Sequence, residues 1–107
     1  MTHLRARATS PVSPEVDGEL LGQLESLQRL LRPTPVVPLE FRGLDLHAKL
    51  EYQNPIGSVK DRSALWVLKN AVMEGRVHRG TTVIESSSGN FASALAFYCR
   101  MLGLPFI

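Results

Sequence analysis

At 107 residues the chain has room for one small hydrophobic core and not for two. Its 44% hydrophobic and 21% charged content is that of an ordinary globular protein. A formal net charge of +2 is too small to direct it to nucleic acid or to a membrane surface. The single cysteine, Cys99, excludes an intramolecular disulfide and fits a reducing, cytoplasmic compartment. No apolar run approaches the length that spans a bilayer.

The start, "MTHLRARATSPVSPE", combines early Arg and His charges with prolines and has no apolar pattern. It lacks the apolar stretch of a secretory signal. A disordered tail over residues 1–16 is expected, with a transit peptide as the alternative. Order begins near Asp17. In "DGELLGQLESLQRLLRP", Leu20, Leu24, Leu27 and Leu31 fall on one helical face, and Pro33 ends the helix. That face suits packing on the chain's own core, since the sustained heptads of a coiled coil are missing.

Two β-like runs follow, "VVPLEF" and "DLHAKLEY", joined around Gly43. Pro38 marks the first as an edge strand. In the second, Leu46, Ala48 and Leu50 alternate with His47, Lys49 and Glu51, the pattern of a half-buried strand. His47 then faces solvent, His3 lies in the tail and His78 in a turn, so the histidines make no metal site.

From Ser58 the apolar period changes. Ser58 is placed as an N-cap with Asp61 completing a capping-box-like pair. Ala64, Leu65, Leu68, Ala71 and Val72 form the apolar face of a helix that Gly75 stops. A strand, "TTVIE", leads through "SSSGN" into a second helix, "FASALAFYCRML", closed by Gly103. This helix is apolar almost all round and should be buried, with Cys99 a core residue and not a nucleophile. Strand, helix, strand, helix and a last apolar "LPFI" give the rhythm of an α/β fold with a parallel sheet. Such sheets are covered on both faces, so the chain reads as the front part of a larger αβα sandwich, preceded by a short helix and a strand pair.

One residue of "NPIGSVKDR" is out of place in a turn leading to a helix. A helix start carries partial positive charge, which disfavours an ammonium at Lys60. Arg62 and burial would also push its pKa down, toward the kind of lysine that forms Schiff bases and abstracts protons. The plain alternative is a surface lysine whose stem reaches water. A P-loop needs Gly-Lys followed by Ser or Thr, whereas Val59 precedes and Asp61 follows. The serine–lysine hydrolase pattern needs a serine where Gly57 stands, and "SSSGN" is no nucleophile elbow.

The second stretch, "ESSSGN", feeds a helix whose first amides face the loop. Helix starts bind anions, and Ser86, Ser87 and Ser88 let a carboxylate approach and add donors. Serine is also a common cap. Paired with a Schiff-base lysine one βα unit earlier, the loop suggests a site for an amino acid, its carboxylate on this loop.

"NPIGSVKDR" followed by "IESSSGNFASALA", with "TPVVPL" ahead of them, resembles the cysteine synthase branch of the fold-type II pyridoxal-phosphate enzymes, the tryptophan synthase β-like family. The resemblance covers Thr34 to Ile107. It implies that residues 17–107 are the N-terminal part of a truncated enzyme domain. It also implies that Lys60 holds pyridoxal 5'-phosphate as an internal aldimine and later moves the α-proton. Asn90 would hydrogen-bond the cofactor's ring hydroxyl. Ser87, Ser88 and the amides of Gly89, Asn90 and Phe91 would clasp the substrate carboxylate.

The family's sulfhydrylases usually have Pro-Thr-Ser-Gly-Asn-Thr here. Phe91 removes a hydroxyl from the loop and is expected to add bulk and disfavour small thiol nucleophiles. The "ESSSGN" form is similar to enzymes that make 2,3-diaminopropionate precursors by joining O-phosphoserine to glutamate. The implied chemistry is β-replacement on a serine-derived amino acid, O-phosphoserine or O-acetylserine, through an aminoacrylate. A β-eliminating dehydratase and a non-catalytic, partner-binding remnant are the alternatives. The family's phosphate cradle and its partner for the pyridine nitrogen lie further along than Ile107. A full-length form is expected to be a homodimer acting on a small amino acid, with no nucleic acid or membrane partner.

Overall fold

The computed structural model describes residues 15–107, so the expected tail and His3 lie outside the described residues, apart from Glu15 and Val16. The first helix, α1, runs Gly18–Gln28. Asp17 caps it, accepting the Leu20 amide on Oδ1 at 3.0 Å, and its Oδ2 accepts the distant Arg79 amide at 3.0 Å. These two bonds, that from Leu20 first, hold the Asp17 carboxyl below the usual carboxylate range. Leu20, Leu24 and Leu27 are buried, as their spacing predicts. The helix nevertheless stops five residues before Pro33. The amides of Arg29, Leu30 and Leu31 reach back three residues instead of four, at 3.3, 3.0 and 3.0 Å. The chain tightens and then unwinds ahead of the proline. Leu31 still packs against the core from outside the helix.

The strands β1 (Val36–Phe41) and β2 (Leu44–Lys49) pair antiparallel, from Val36 opposite Lys49 to Phe41 opposite Leu44. Gly43 supplies the positive φ, +64°, that lets the two-residue turn close. The Leu50 amide donates to the Pro35 carbonyl at 2.8 Å. Counting in from that bond, Pro38 sits opposite His47 at a non-hydrogen-bonded pair, so its missing N–H leaves no gap in the ladder. Pleat alternation puts Val37, Leu39, Phe41, Leu44, Leu46 and Ala48 on one face, all six apolar. The expected half-buried strand is therefore not found. Its apolar face exists, but among the described residues nothing covers it: Phe41 is 67% exposed and Leu46 40%.

A short 3-10 turn, Glu51–Gln53, leads through the loop 54–59 into α2 (Lys60–Met73). The five apolar residues expected on its face are all buried. The helix α3 (Asn90–Leu102) packs along α2, and α1 lies against both, around a single core that includes Val77, Val83 and Leu104. Burying each of these Leu or Val side chains contributes about 1.5–3 kcal/mol. Both α2 and α3 end in the same way. Gly75 and Gly103, each at φ +71°, turn the chain left-handed. The next amide then reaches five residues back, Arg76 to the Ala71 carbonyl at 2.9 Å and Leu104 to the Cys99 carbonyl at 2.8 Å.

The all-round burial expected for α3 is not seen. Ser93, Arg100 and Met101 are exposed, because its apolar contacts come from one side only. Cys99 is in the core, and burial pushes its thiol up to about 11, which suits packing and not attack.

The expected parallel sheet is present as a single rung. The Val83 amide donates to the Pro105 carbonyl at 2.9 Å, Ile107 to Val83 at 2.9 Å and Glu85 to Ile107 at 3.1 Å, pairing Val83 with Phe106 in parallel. What the chain shows is a mixed helix–strand fold with one antiparallel hairpin, and a complete αβα sandwich is not displayed.

Candidate active site

Both sequence motifs end at helix starts. Lys60 is the first residue of α2 and is exposed. Of the three lysines, Lys49 reaches Glu51 at 2.9 Å and Lys69 reaches Gln28 Oε1 at 2.8 Å. The Lys60 ammonium takes part in no side-chain hydrogen bond or ion pair among the described residues.

The loop that delivers Lys60 is held from both sides. Asn54, nearly buried, donates from Nδ2 to Glu51 Oε2 at 2.9 Å and to the Ser58 carbonyl at 3.0 Å. Ser58 Oγ in turn accepts the Lys60 amide at 3.1 Å. The expected capping box from Ser58 does not form: the N-cap position is Val59, and the Asp61 amide donates to the Ser58 carbonyl at 3.3 Å instead of to its hydroxyl. Asp61 is fully buried and turns back beneath the loop, where its Oδ2 accepts the amides of Ile56 at 2.6 Å and Gly57 at 3.2 Å. Gly57 has a φ of +104°, a conformation that admits glycine and little else.

Glu51 anchors the other end of the loop, a role sequence reading did not single out. It accepts hydrogen bonds from Thr34 Oγ1, Lys49, Asn54 and Arg62 Nε, the last at 3.0 Å, while Arg62 Nη2 donates to the Arg32 carbonyl at 2.6 Å. The Thr34 bond, then Lys49, Asn54 and Arg62, hold its carboxyl well below the ordinary glutamate value. The signal available in the sequence was a glutamate between Lys49 and Arg62 beside an Asn-Pro turn.

Asn90 opens α3 and is exposed, as are Ser88 and Gly89. Ser87 is half-buried, and its hydroxyl accepts the Gly89 amide at 3.3 Å. Glu85 Oε1 accepts the amides of Ser86 and Ser87 at 3.0 and 3.1 Å, so the chain's own carboxylate already occupies the front of the loop. The amides of Ser88, Asn90, Phe91 and Ala92 have no partner among the described residues. They form the open donor set expected of a helix start.

Phe91 requires a correction. Its ring is buried in the core, so it adds no bulk to the loop. Only its amide remains on offer there.

Tyr98 links the start of α2 to the body of α3. Its buried hydroxyl donates to the Asp61 carbonyl at 2.8 Å, and burial first, then the Asp61 charge, pushes the phenol up to about 12. The beginning of α2 thus lies alongside α3, eight residues or about 12 Å of helix rise past Asn90.

The family model for pyridoxal-phosphate dependent enzymes matches residues 27–107. The chain belongs to that family. It is 48% identical over 77 residues to the N-(2-amino-2-carboxyethyl)-L-glutamate synthase of Ralstonia nicotianae, an alignment covering 68% of this chain and 23% of that protein. It is 39% identical over 83 residues to cysteine synthase B of Campylobacter jejuni, covering 78% and 28% respectively. Cysteine synthase 1 of Emericella nidulans is 39% identical over 108 aligned positions, covering 97% of this chain and 29% of its own length. The chain therefore spans about a quarter of the length of the curated relatives it matches.

Proposed function

We propose that this chain supplies the lysine and the carboxylate-binding loop of a pyridoxal-phosphate dependent enzyme that carries out β-replacement on a serine-derived amino acid, O-phosphoserine or O-acetylserine. The observation that carries the reading is the pair of helix starts, on helices joined at Tyr98: the Lys60 amine and the amides of Ser88, Asn90, Phe91 and Ala92 have no partner among the described residues. The residues fit one end of the cofactor. An unpaired primary amine suits its aldehyde, and the exposed Asn90 amide suits its ring hydroxyl. Partners for its phosphate and its pyridine nitrogen are not assigned among the described residues.

When bound, pyridoxal phosphate supplies an electron sink that makes the substrate's α-proton removable. Lys60 would hold the cofactor covalently and, once released by the substrate's amine, serve as the base at the α-carbon. The substrate carboxylate would be bound by the amides of Ser88, Asn90, Phe91 and Ala92 and by the Ser88 hydroxyl, helped by the positive end of α3. Ser87 and Gly89 shape that loop by their mutual hydrogen bond. Glu85 limits the site by occupying the first two amides, so the substrate would sit toward Asn90.

The likeness to the N-(2-amino-2-carboxyethyl)-L-glutamate synthase supports an amino acid as the nucleophile, and the likeness to the cysteine synthases supports sulfide. In the native polypeptide, O-phosphoserine and O-acetylserine should each be tested with glutamate and with sulfide. Product formation that falls by at least about a thousandfold in Lys60→Ala is expected, the loss typical of a missing covalent nucleophile and base. Pyruvate and ammonia formed without either nucleophile would favour a dehydratase. No turnover of either substrate in the presence of cofactor would favour a non-catalytic chain that binds a partner.

A further inference from the structure

We infer that Asp61 is a positioning residue for Lys60, a buried clamp that sets the path of the 54–59 loop; the inference rests on the reading of Lys60 given above. The neighbour of an exposed lysine at a helix start would ordinarily turn its carboxylate to water and favour the helix dipole from there. Asp61 does the opposite. It is fully buried, and its Oδ2 collects two consecutive amides from the loop that precedes the helix, those of Ile56 and Gly57.

Burial of this kind is costly. A carboxylate removed from water has to be compensated by hydrogen bonds, and Oδ1 has no partner among the described residues. An apolar side chain of similar shape would fill the space without that cost, but would leave the Ile56 and Gly57 amides unpaired. The backbone of Asp61 is itself fixed by Tyr98, from a helix on the far side of the loop. Lys60 therefore leaves the main chain between two fixed points. Ser58 Oγ holds its amide, and Asp61 ties the following peptide to α3 and the preceding turn to itself.

The test uses the native polypeptide with Asp61→Leu and Asp61→Asn, and two readouts. One is hydrogen–deuterium exchange at the Ile56 and Gly57 amides. The other is the rate at which pyridoxal phosphate becomes fixed to Lys60, followed by borohydride trapping. Asp61→Leu should speed exchange at those two amides about tenfold, the equivalent of roughly one hydrogen bond. It should slow covalent capture by a similar factor while leaving protection of α1 and α3 unchanged. Asp61→Asn, which keeps an acceptor oxygen, should stay within about threefold of wild type in both.

If Asp61→Leu does not fold, Asp61→Ala carries the same expectations. A folded Asp61→Leu or Asp61→Ala protein with wild-type exchange and wild-type capture overturns the clamp. Wild-type protein that fixes no cofactor at Lys60 contradicts the reading of Lys60 instead, and exchange at Ile56 and Gly57 then decides the clamp by itself.

Discussion

Glu51 shows how single residues build this site. Its carboxylate is shared among Thr34, Lys49, Asn54 and Arg62, and through Asn54 it reaches the loop that ends at Lys60. Because its folded pKa lies below the ordinary value of 4.5, the ionised form is the one the fold stabilises. That contribution is fully present above about pH 5 and is lost as pH falls below the unfolded value toward the folded one. The stability difference between wild type and Glu51→Gln should then be constant from about pH 8 to 5 and shrink below about pH 4.5. Denaturant titrations across that range check it, and a difference that grows on acidification would contradict it. None of this is legible in a hydrophobic pattern, since Glu51 acts through contacts with residues up to 17 positions away. Asp61 is similar. Its spacing from Ser58 reads as a cap, whereas the direction of its side chain is decided by a glycine turn whose amides point inward.

At the scale of elements, the helices were the most legible part. The apolar face of α2 and the stops at Gly75 and Gly103 follow from local spacing and from the left-handed conformation that glycine alone adopts cheaply. Gly103 isolates that effect, because an added Cβ would meet open space there while φ is +71°. Gly103→Ala should cost about 1 kcal/mol, nearly all of it backbone strain, with Gly103→Asn costing less. Urea unfolding midpoints measure both, and an Ala variant as stable as wild type would remove the left-handed closure from the explanation. The end of α1 was less legible. Leu31 keeps the helical spacing, yet three short-range bonds unwind the chain before it, and only tertiary packing tells the two apart. For β2 the alternation assigned the faces correctly, but burial requires a second layer that spacing does not reveal.

For the whole molecule, the open hairpin face is the largest departure from a finished globule. Six apolar residues on one sheet face, four of them exposed, form the kind of patch that drives association. A preparation of the 107-residue chain alone should bind a hydrophobic dye and self-associate as its concentration rises. Leu39→Lys combined with Leu46→Lys should reduce both. Light scattering that stays monomeric for wild type would contradict that expectation.

The family to which the chain belongs, the Lys60 amine without a partner among the described residues and the open amides of α3 all bear on one covalent bond. The most direct measurement is borohydride reduction of the native polypeptide with pyridoxal phosphate, followed by peptide mapping. The cofactor mass should appear on the peptide containing Lys60, and be absent from those of Lys49 and Lys69. Cofactor fixed equally to all three lysines, or retained in full by Lys60→Ala, would contradict the assignment.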